Sequence, residues 1–129
     1  MSGSILVVED DEAIATVLAR VLGRLAAPVE TVARGAAAVE RVRRGGVAMV
    51  LLDLGLPDLD GVDVCRRVRA GGFTGPVLVV TAEHEARGSD ALGAGADDVL
   101  AKPFRLADLV ARAGALLPAS PSLPVQDGG

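Results

Sequence analysis

Aromatic residues are almost missing from this 129-residue chain: there are two Phe, no Tyr and no Trp. A core without them must be packed from Val, Leu, Ile and Ala, which the 50% hydrophobic content supplies. Cys65 is the one cysteine, which excludes an internal disulfide and a multi-cysteine metal site. It is expected to be a small packed or surface thiol rather than a reactive one. The one histidine, His84, has no clustered partner and makes a poor metal ligand; a solvated position in a loop is expected. Positive charge is in deficit, with a net charge of −4 and a pI near 4.9, so there is no electrostatic footprint for nucleic acid. No apolar run reaches the length of a membrane span, and no basic segment opens the chain as a secretory signal would. A cytoplasmic protein without membrane contact is the expectation, and the length suits one domain.

Lysine is scarcer still. Of thirteen basic residues one is Lys, at position 102. The bias is consistent with genome composition alone, or it marks a place where a compact ammonium is needed and a guanidinium fork will not serve.

What is present alternates. Ile5 to Val8 is a short apolar run that ends in Glu9, Asp10, Asp11 and Glu12. A helix follows, with Ile14, Val17, Leu18, Val21, Leu22 and Leu25 predicted as its inward stripe. Acids suit its first turn, but Glu9 and Asp10 precede it. Pro28 to Val32 reads as an edge strand because Pro opens it. Gly35 to Arg44 reads as a helix with Ala36, Val39 and Val42 inward. The strand from Val47 to Asp53 runs into the turn-rich Leu-Gly-Leu-Pro-Asp-Leu-Asp-Gly segment. A helix over Val62 to Ala70 is predicted to pack through Val64 and Val68, with Arg66, Arg67 and Arg69 solvated. A strand over Pro76 to Thr81 precedes a weak, mobile helix over Arg87 to Ala94. A fifth strand, Asp98 to Ala101, ends at Lys102-Pro103. The last helix spans Leu106 to Leu117, with a stripe of Leu106, Leu109, Val110, Ala113, Leu116 and Leu117. Residues 1–117 form the predicted domain, and the Pro- and Ser-rich residues 118–129 read as a disordered tail or truncated linker.

Short buried strands joined by crossover helices predict an α/β fold: a doubly wound, five-stranded parallel sheet with helices on both faces. Parallel strands end on one edge, so Glu9, Asp10, Asp53, Thr81 and Lys102 share a crevice. Taken alone, Asp53 reads equally as a loop-capping residue or as a functional acid at the end of a buried strand. The set changes the balance. Three clustered carboxylates repel one another and favour a divalent cation, and an all-oxygen donor set suits Mg²⁺ together with a phosphate. A hydroxyl and an ammonium suit the remaining oxygens of a phosphoryl group, which leaves Asp53 as an aspartyl nucleophile.

Ile-Leu-Val-Val-Glu-Asp-Asp-Glu-Ala-Ile at 5–14, Leu-Leu-Asp-Leu-Gly-Leu-Pro-Asp-Leu-Asp-Gly at 51–61, Val-Val-Thr-Ala at 79–82 and Gly-Ala-Asp-Asp-Val-Leu-Ala-Lys-Pro-Phe at 95–104 resemble the receiver domain of two-component response regulators. The resemblance covers positions 4 to about 117 with all motifs in order. It implies a flavodoxin-like strand order of 2-1-3-4-5. It implies that Asp53 accepts a phosphoryl group from a sensor histidine kinase, and that a downstream effector protein or a lost C-terminal domain reads the switch. It further implies that Asp10, Asp53 and the Gly55 carbonyl bind Mg²⁺ directly, with Glu9 acting mainly through water. Thr81 would bond a phosphoryl oxygen, and Lys102 would form an ion pair next to a cis bond to Pro103. No enzymatic activity is implied beyond Mg²⁺-dependent self-phosphorylation and autodephosphorylation.

Some positions depart from the pattern. Val99 stands where such domains usually carry Tyr or Phe, which puts the usual readout in doubt. Gly55 leaves open space beside the nucleophile, and Glu83 puts an acid near the site mouth, so both are expected to set the acyl-phosphate lifetime. For a weak homodimer through the fourth helix, fifth strand and fifth helix, Asp98 and Arg112 match one usual pair. Asp108 finds only a displaced Arg87, and Ala119 replaces an expected Arg. Three rival readings remain. A small aspartyl-phosphate phosphatase would need a second acid where Gly55 stands. A flavodoxin-like cofactor module would need a Gly-rich loop after the first strand. A degenerate receiver used as a docking scaffold would not need the intact residue set.

Overall fold

A computed structural model describes residues 3–117, apart from the side chains of residues 84–86. The elements in order are β1 (Ser4–Val8), α1 (Glu12–Leu22), β2 (Val29–Val32), α2 (Gly35–Arg43), β3 (Val47–Asp53), α3 (Gly61–Ala70), β4 (Val77–Thr81), α4 (His84–Gly93), β5 (Asp98–Ala101) and α5 (Leu106–Leu116). The five strands form one parallel sheet in the order β2-β1-β3-β4-β5.

Strand alternation divides the core into two layers. Leu6, Val8, Val50, Leu52, Val77 and Val79 face one side, where Ala38 and Val42 of α2, Val64 and Val68 of α3 and Ala91 of α4 cover them. Ile5, Val7, Met49, Leu51, Leu78 and Val80 face the other, under Leu18 and Leu22 of α1 and Leu109 and Ala113 of α5. The three inner strands are buried on both faces, which is why they read as continuous apolar runs rather than alternating ones. β2 is an edge strand as expected, and the carbonyl of Pro28 still accepts a hydrogen bond from Ile5 N.

Several helix faces differ from the expected stripes. In α1, Ala15 is buried while Ile14 and Val17 stay 42% and 47% exposed, so the stripe is narrower than the apolar count suggested. The α-helix ends at Leu22, and a 3-10 turn over Gly23–Leu25 carries the chain on to Leu25. In α2, Ala38 is buried in place of Ala36. Arg69 of α3 is not solvated: it donates to the carbonyls of Phe73, Gly75 and Gly95 and to Asp97. Its fork ties the loop before β4 to the loop before β5. Cys65 is fully buried, and burial pushes its thiol pKa up, away from reactivity. α4 begins at His84, three residues earlier than periodicity indicated, so His84 does not lie in a loop. Leu106 is exposed at the start of α5.

Gly61 is where the fold needs a missing side chain. A Cβ there would sit 2.5 Å from Leu54 Cα, so the loop leaving β3 can lie against the start of α3. No helix among the described residues is long and apolar enough to cross a membrane. The expected tail at 118–129, the contact at Ala119 and the solvation of His84 lie outside the described residues.

Candidate functional site

The C-terminal ends of β1, β3, β4 and β5 bring the predicted residues together. Glu9 follows β1 and is 4% exposed, Asp53 closes β3 at 7%, and Thr81 closes β4 at 4%. One oxygen each from Glu9, Asp10 and Asp53 lies within 4.8 Å of the others, with Asp10 exposed at the mouth. Lys102, half-buried after β5, points its Nζ at Asp53 Oδ2 at 2.9 Å and lies 4.0 Å from Glu9 Oε1. The peptide bond that follows it, to Pro103, is cis. Gly55 N donates to Asp53 Oδ1 at 2.9 Å, so both oxygens of Asp53 accept hydrogen bonds.

Glu9 is held less well. Asp11 N donates to its Oε2 at 3.1 Å, but its buried Oε1 has no hydrogen-bond partner among the described residues. Burial, and then the neighbouring Asp53 carboxyl, push the Glu9 pKa up to about 7. Burial also acts to raise the Asp53 pKa. The adjoining Glu9 carboxyl, the Lys102 ammonium and the Gly55 N–H outweigh it and hold Asp53 below the ordinary carboxylate value. The two carboxyls of the pair are thus pushed in opposite directions, Asp53 down and Glu9 up.

A buried, unpartnered carboxylate oxygen beside a second buried acid is the donor set a hard divalent cation satisfies. The residues present therefore fit a metal ion held by Glu9, Asp10 and Asp53. Beside them is a cleft of about 230 Å³ lined by Asp53, Leu54, Gly55, Thr81, Ala82, Glu83, Arg87 and Lys102. It joins the predicted nucleophile, hydroxyl and ammonium in one space. Thr81 Oγ1 accepts from Glu83 N at 2.9 Å, which leaves its own O–H free to turn toward the cleft.

Arg87 in the cleft wall was not anticipated, since the sequence offered it only as a displaced partner for Asp108 on the dimer face. Instead Arg87 Nη2 donates to Asp60 Oδ1 across the cleft mouth. The signal was available only through topology, because the two residues are 27 positions apart. Asp98 and Arg112, expected to pair between two copies, pair within the chain at 3.0 Å.

The family model described as "Response regulator receiver domain" matches residues 5–114. Among curated proteins, the chain is 42% identical to the response regulator MprA of Mycobacterium bovis over 118 residues, which is 91% of this chain and 51% of MprA. It is 39% identical to protein RcaC of Microchaete diplosiphon over 114 residues, which is 88% of this chain and 18% of RcaC. The chain therefore spans about half the length of one such relative and less than a fifth of the other. Among solved structures, it is similar to the receiver domain of the sensor histidine kinase PA1611 of Pseudomonas aeruginosa, which carries a magnesium ion in its active-site cleft. That match has a TM-score of 0.80 and 34% identity, and covers 90% of this chain and 98% of that one. The BeF3-activated receiver domain of RstA from Klebsiella pneumoniae matches with a TM-score of 0.82 and 34% identity, covering 91% and 100%.

Proposed function

The chain belongs to the receiver domains of two-component response regulators, and on that premise we propose that Asp53 is the residue that accepts the phosphoryl group. The family acts in signal transduction, and a phosphoacceptor role fits it. The observation that carries the assignment to Asp53 is the 2.9 Å contact from Lys102 Nζ to its Oδ2, made beside two further acids at the ends of parallel strands. In the proposed reaction a carboxylate oxygen of Asp53 bonds to phosphorus as the P–N bond of a kinase phosphohistidine breaks. The electron pair leaves with the imidazole nitrogen, which then takes up a proton. The product is an acyl phosphate on Asp53 and a free histidine on the kinase.

Glu9, Asp10 and Asp53, with the Gly55 carbonyl, would hold Mg²⁺, which would neutralise charge building on the phosphoryl oxygens. Lys102 supplies a second positive charge, already in contact with Asp53 before transfer. The Thr81 hydroxyl is placed to donate to a phosphoryl oxygen, and any movement it makes pulls on Glu83 N at the start of α4. Residues 1–117 form the switch, and the longer relatives suggest an effector region beyond it as the reader. A weak homodimer through α4, β5 and α5 is the remaining partner reading. Leu92 on α4, 50% exposed, gives that face an apolar contact.

Intact mass after incubation with acetyl phosphate and Mg²⁺ tests the assignment. The parent should gain one phosphoryl group, and Asp53→Asn should gain none. Uptake by Asp53→Asn equal to the parent, or no uptake by the parent, would refute it. Gel filtration with and without beryllofluoride tests the dimer, which is rejected if both runs elute as monomer.

A further inference from the structure

We propose that Arg87 is a second cationic ligand for the phosphoryl group, held in reserve by Asp60 and exchanged from that carboxylate to the phosphate on transfer; this rests on the reading of Asp53 as phosphoacceptor. Three observations meet here. Arg87 lines the same cleft as Asp53, Thr81 and Lys102, although it belongs to α4 and they belong to strand ends. Its guanidinium is half-buried, and among the described residues its only side-chain hydrogen bond goes through Nη2 to Asp60. The partner carboxylate is already committed, since Asp60 Oδ1 also accepts from Val62 N as the N-cap of α3.

A one-nitrogen pair to a carboxylate that is 46% exposed is a weak restraint on an arginine. A phosphoryl group on Asp53 would bring up to two negative charges and three acceptor oxygens into the cleft Arg87 already lines. A planar guanidinium fork matches phosphate oxygens better than it matches the single shared oxygen of Asp60. The cap on α3 survives the exchange, because Val62 N keeps Asp60 Oδ1. What is lost is the tie between the first turn of α4 and the N-terminus of α3, and what is gained is a tie from α4 to the phosphorylated residue. Modification of Asp53 is thereby transmitted to α4 by a named side chain.

Competition separates this role from that of a passive strut. Asp60→Asn keeps an N-cap residue on α3 but removes the charge that restrains Arg87. If Arg87 binds the phosphoryl group, Arg87→Ala and Asp60→Asn must act in opposite directions. If it only links α3 to α4, they must act alike. The measurement is the dissociation constant for beryllofluoride with Mg²⁺, followed by ¹H–¹⁵N NMR. Arg87→Ala is expected to weaken binding by about tenfold, the size of a charge-assisted hydrogen bond. Asp60→Asn is expected to tighten it by about threefold, and to have no effect in the Arg87→Ala background. Equal affinity for Arg87→Ala and the parent, or shifts of the same sign in both single variants, overturns the proposal. Failure of the parent itself to bind beryllofluoride would instead count against Asp53 as phosphoacceptor, which keeps the two outcomes apart.

Discussion

Two glutamates lie near the sheet and are treated in opposite ways. Glu30, on the edge strand β2, is fully served: Arg41 donates to Oε1 and Oε2 at 2.8 Å each, and the Ser4 hydroxyl donates to Oε2 at 2.6 Å. Those bonds, Arg41 first, lower its pKa to about 2. Glu9, at the end of the neighbouring strand β1, is more deeply buried, has one oxygen unpartnered, and is raised to about 7. The fold can satisfy a carboxylate completely when the carboxylate is structural. At the strand ends it leaves one unsatisfied, which is the mark of a group waiting for a ligand.

The comparison breaks first on the functional side. Removing the ammonium in Lys102→Ala leaves Asp53 without its positive partner, only the Gly55 N–H remaining, and phosphoryl uptake from acetyl phosphate should slow by about 100-fold, as loss of a preorganised charge does elsewhere. Rates from intact-mass time courses check this, and an unchanged rate would remove Lys102 from the reaction. The two glutamates should then differ in sign. Without divalent cation near neutral pH, Glu9→Gln should stabilise the fold by about 1 kcal/mol, because it removes a desolvated charge. Glu30→Gln should destabilise it by about 1 kcal/mol, a value kept small because that carboxylate is partly exposed. Urea unfolding of both variants decides, and shifts of the same sign would erase the distinction.

Titration sharpens the same contrast. Glu30 binds its proton less tightly folded than unfolded, so its contribution is present above pH 4.5 and is lost as pH falls toward about 2. Glu9 binds its proton more tightly folded, so its contribution is present below pH 4.5 and is lost as pH rises to about 7. Stability measured in chelator should therefore decline on both sides of that pH. Glu30→Gln should flatten the acid limb and Glu9→Gln the neutral one. The smallest effect belongs to neither glutamate. Arg112→Ala, which breaks the exposed pair with Asp98, should cost about 0.3 kcal/mol in urea unfolding. A larger loss would give that pair a structural role.

Strands and strand-end acids were legible because buried runs such as Val50-Leu51-Leu52 followed by Asp53 carry their own signal. Parallel topology then forces Glu9, Asp10, Asp53, Thr81 and Lys102 onto one edge, because parallel strands all end on the same side of the sheet. Helix faces were less legible. Apolar identity alone cannot tell the buried Ala15 and Ala38 from the exposed Ile14 and Val17, since that depends on how each helix is rotated over the sheet. Arg69 and Arg87 were unreadable for a related reason. Both are surface-type residues whose partners, Gly95 and Asp60, lie far along the chain.

The central claim is that Glu9, with one buried oxygen unpartnered beside the Asp53 carboxylate, is held in a state that a divalent cation relieves. Calorimetric titration of Mg²⁺ into the parent, Glu9→Gln, Asp53→Asn and Glu30→Gln tests it most directly. The account predicts a single saturable site in the parent, weaker binding in Glu9→Gln and Asp53→Asn, and parental affinity in Glu30→Gln. Equal affinities across all four proteins, or no binding by the parent, would contradict it.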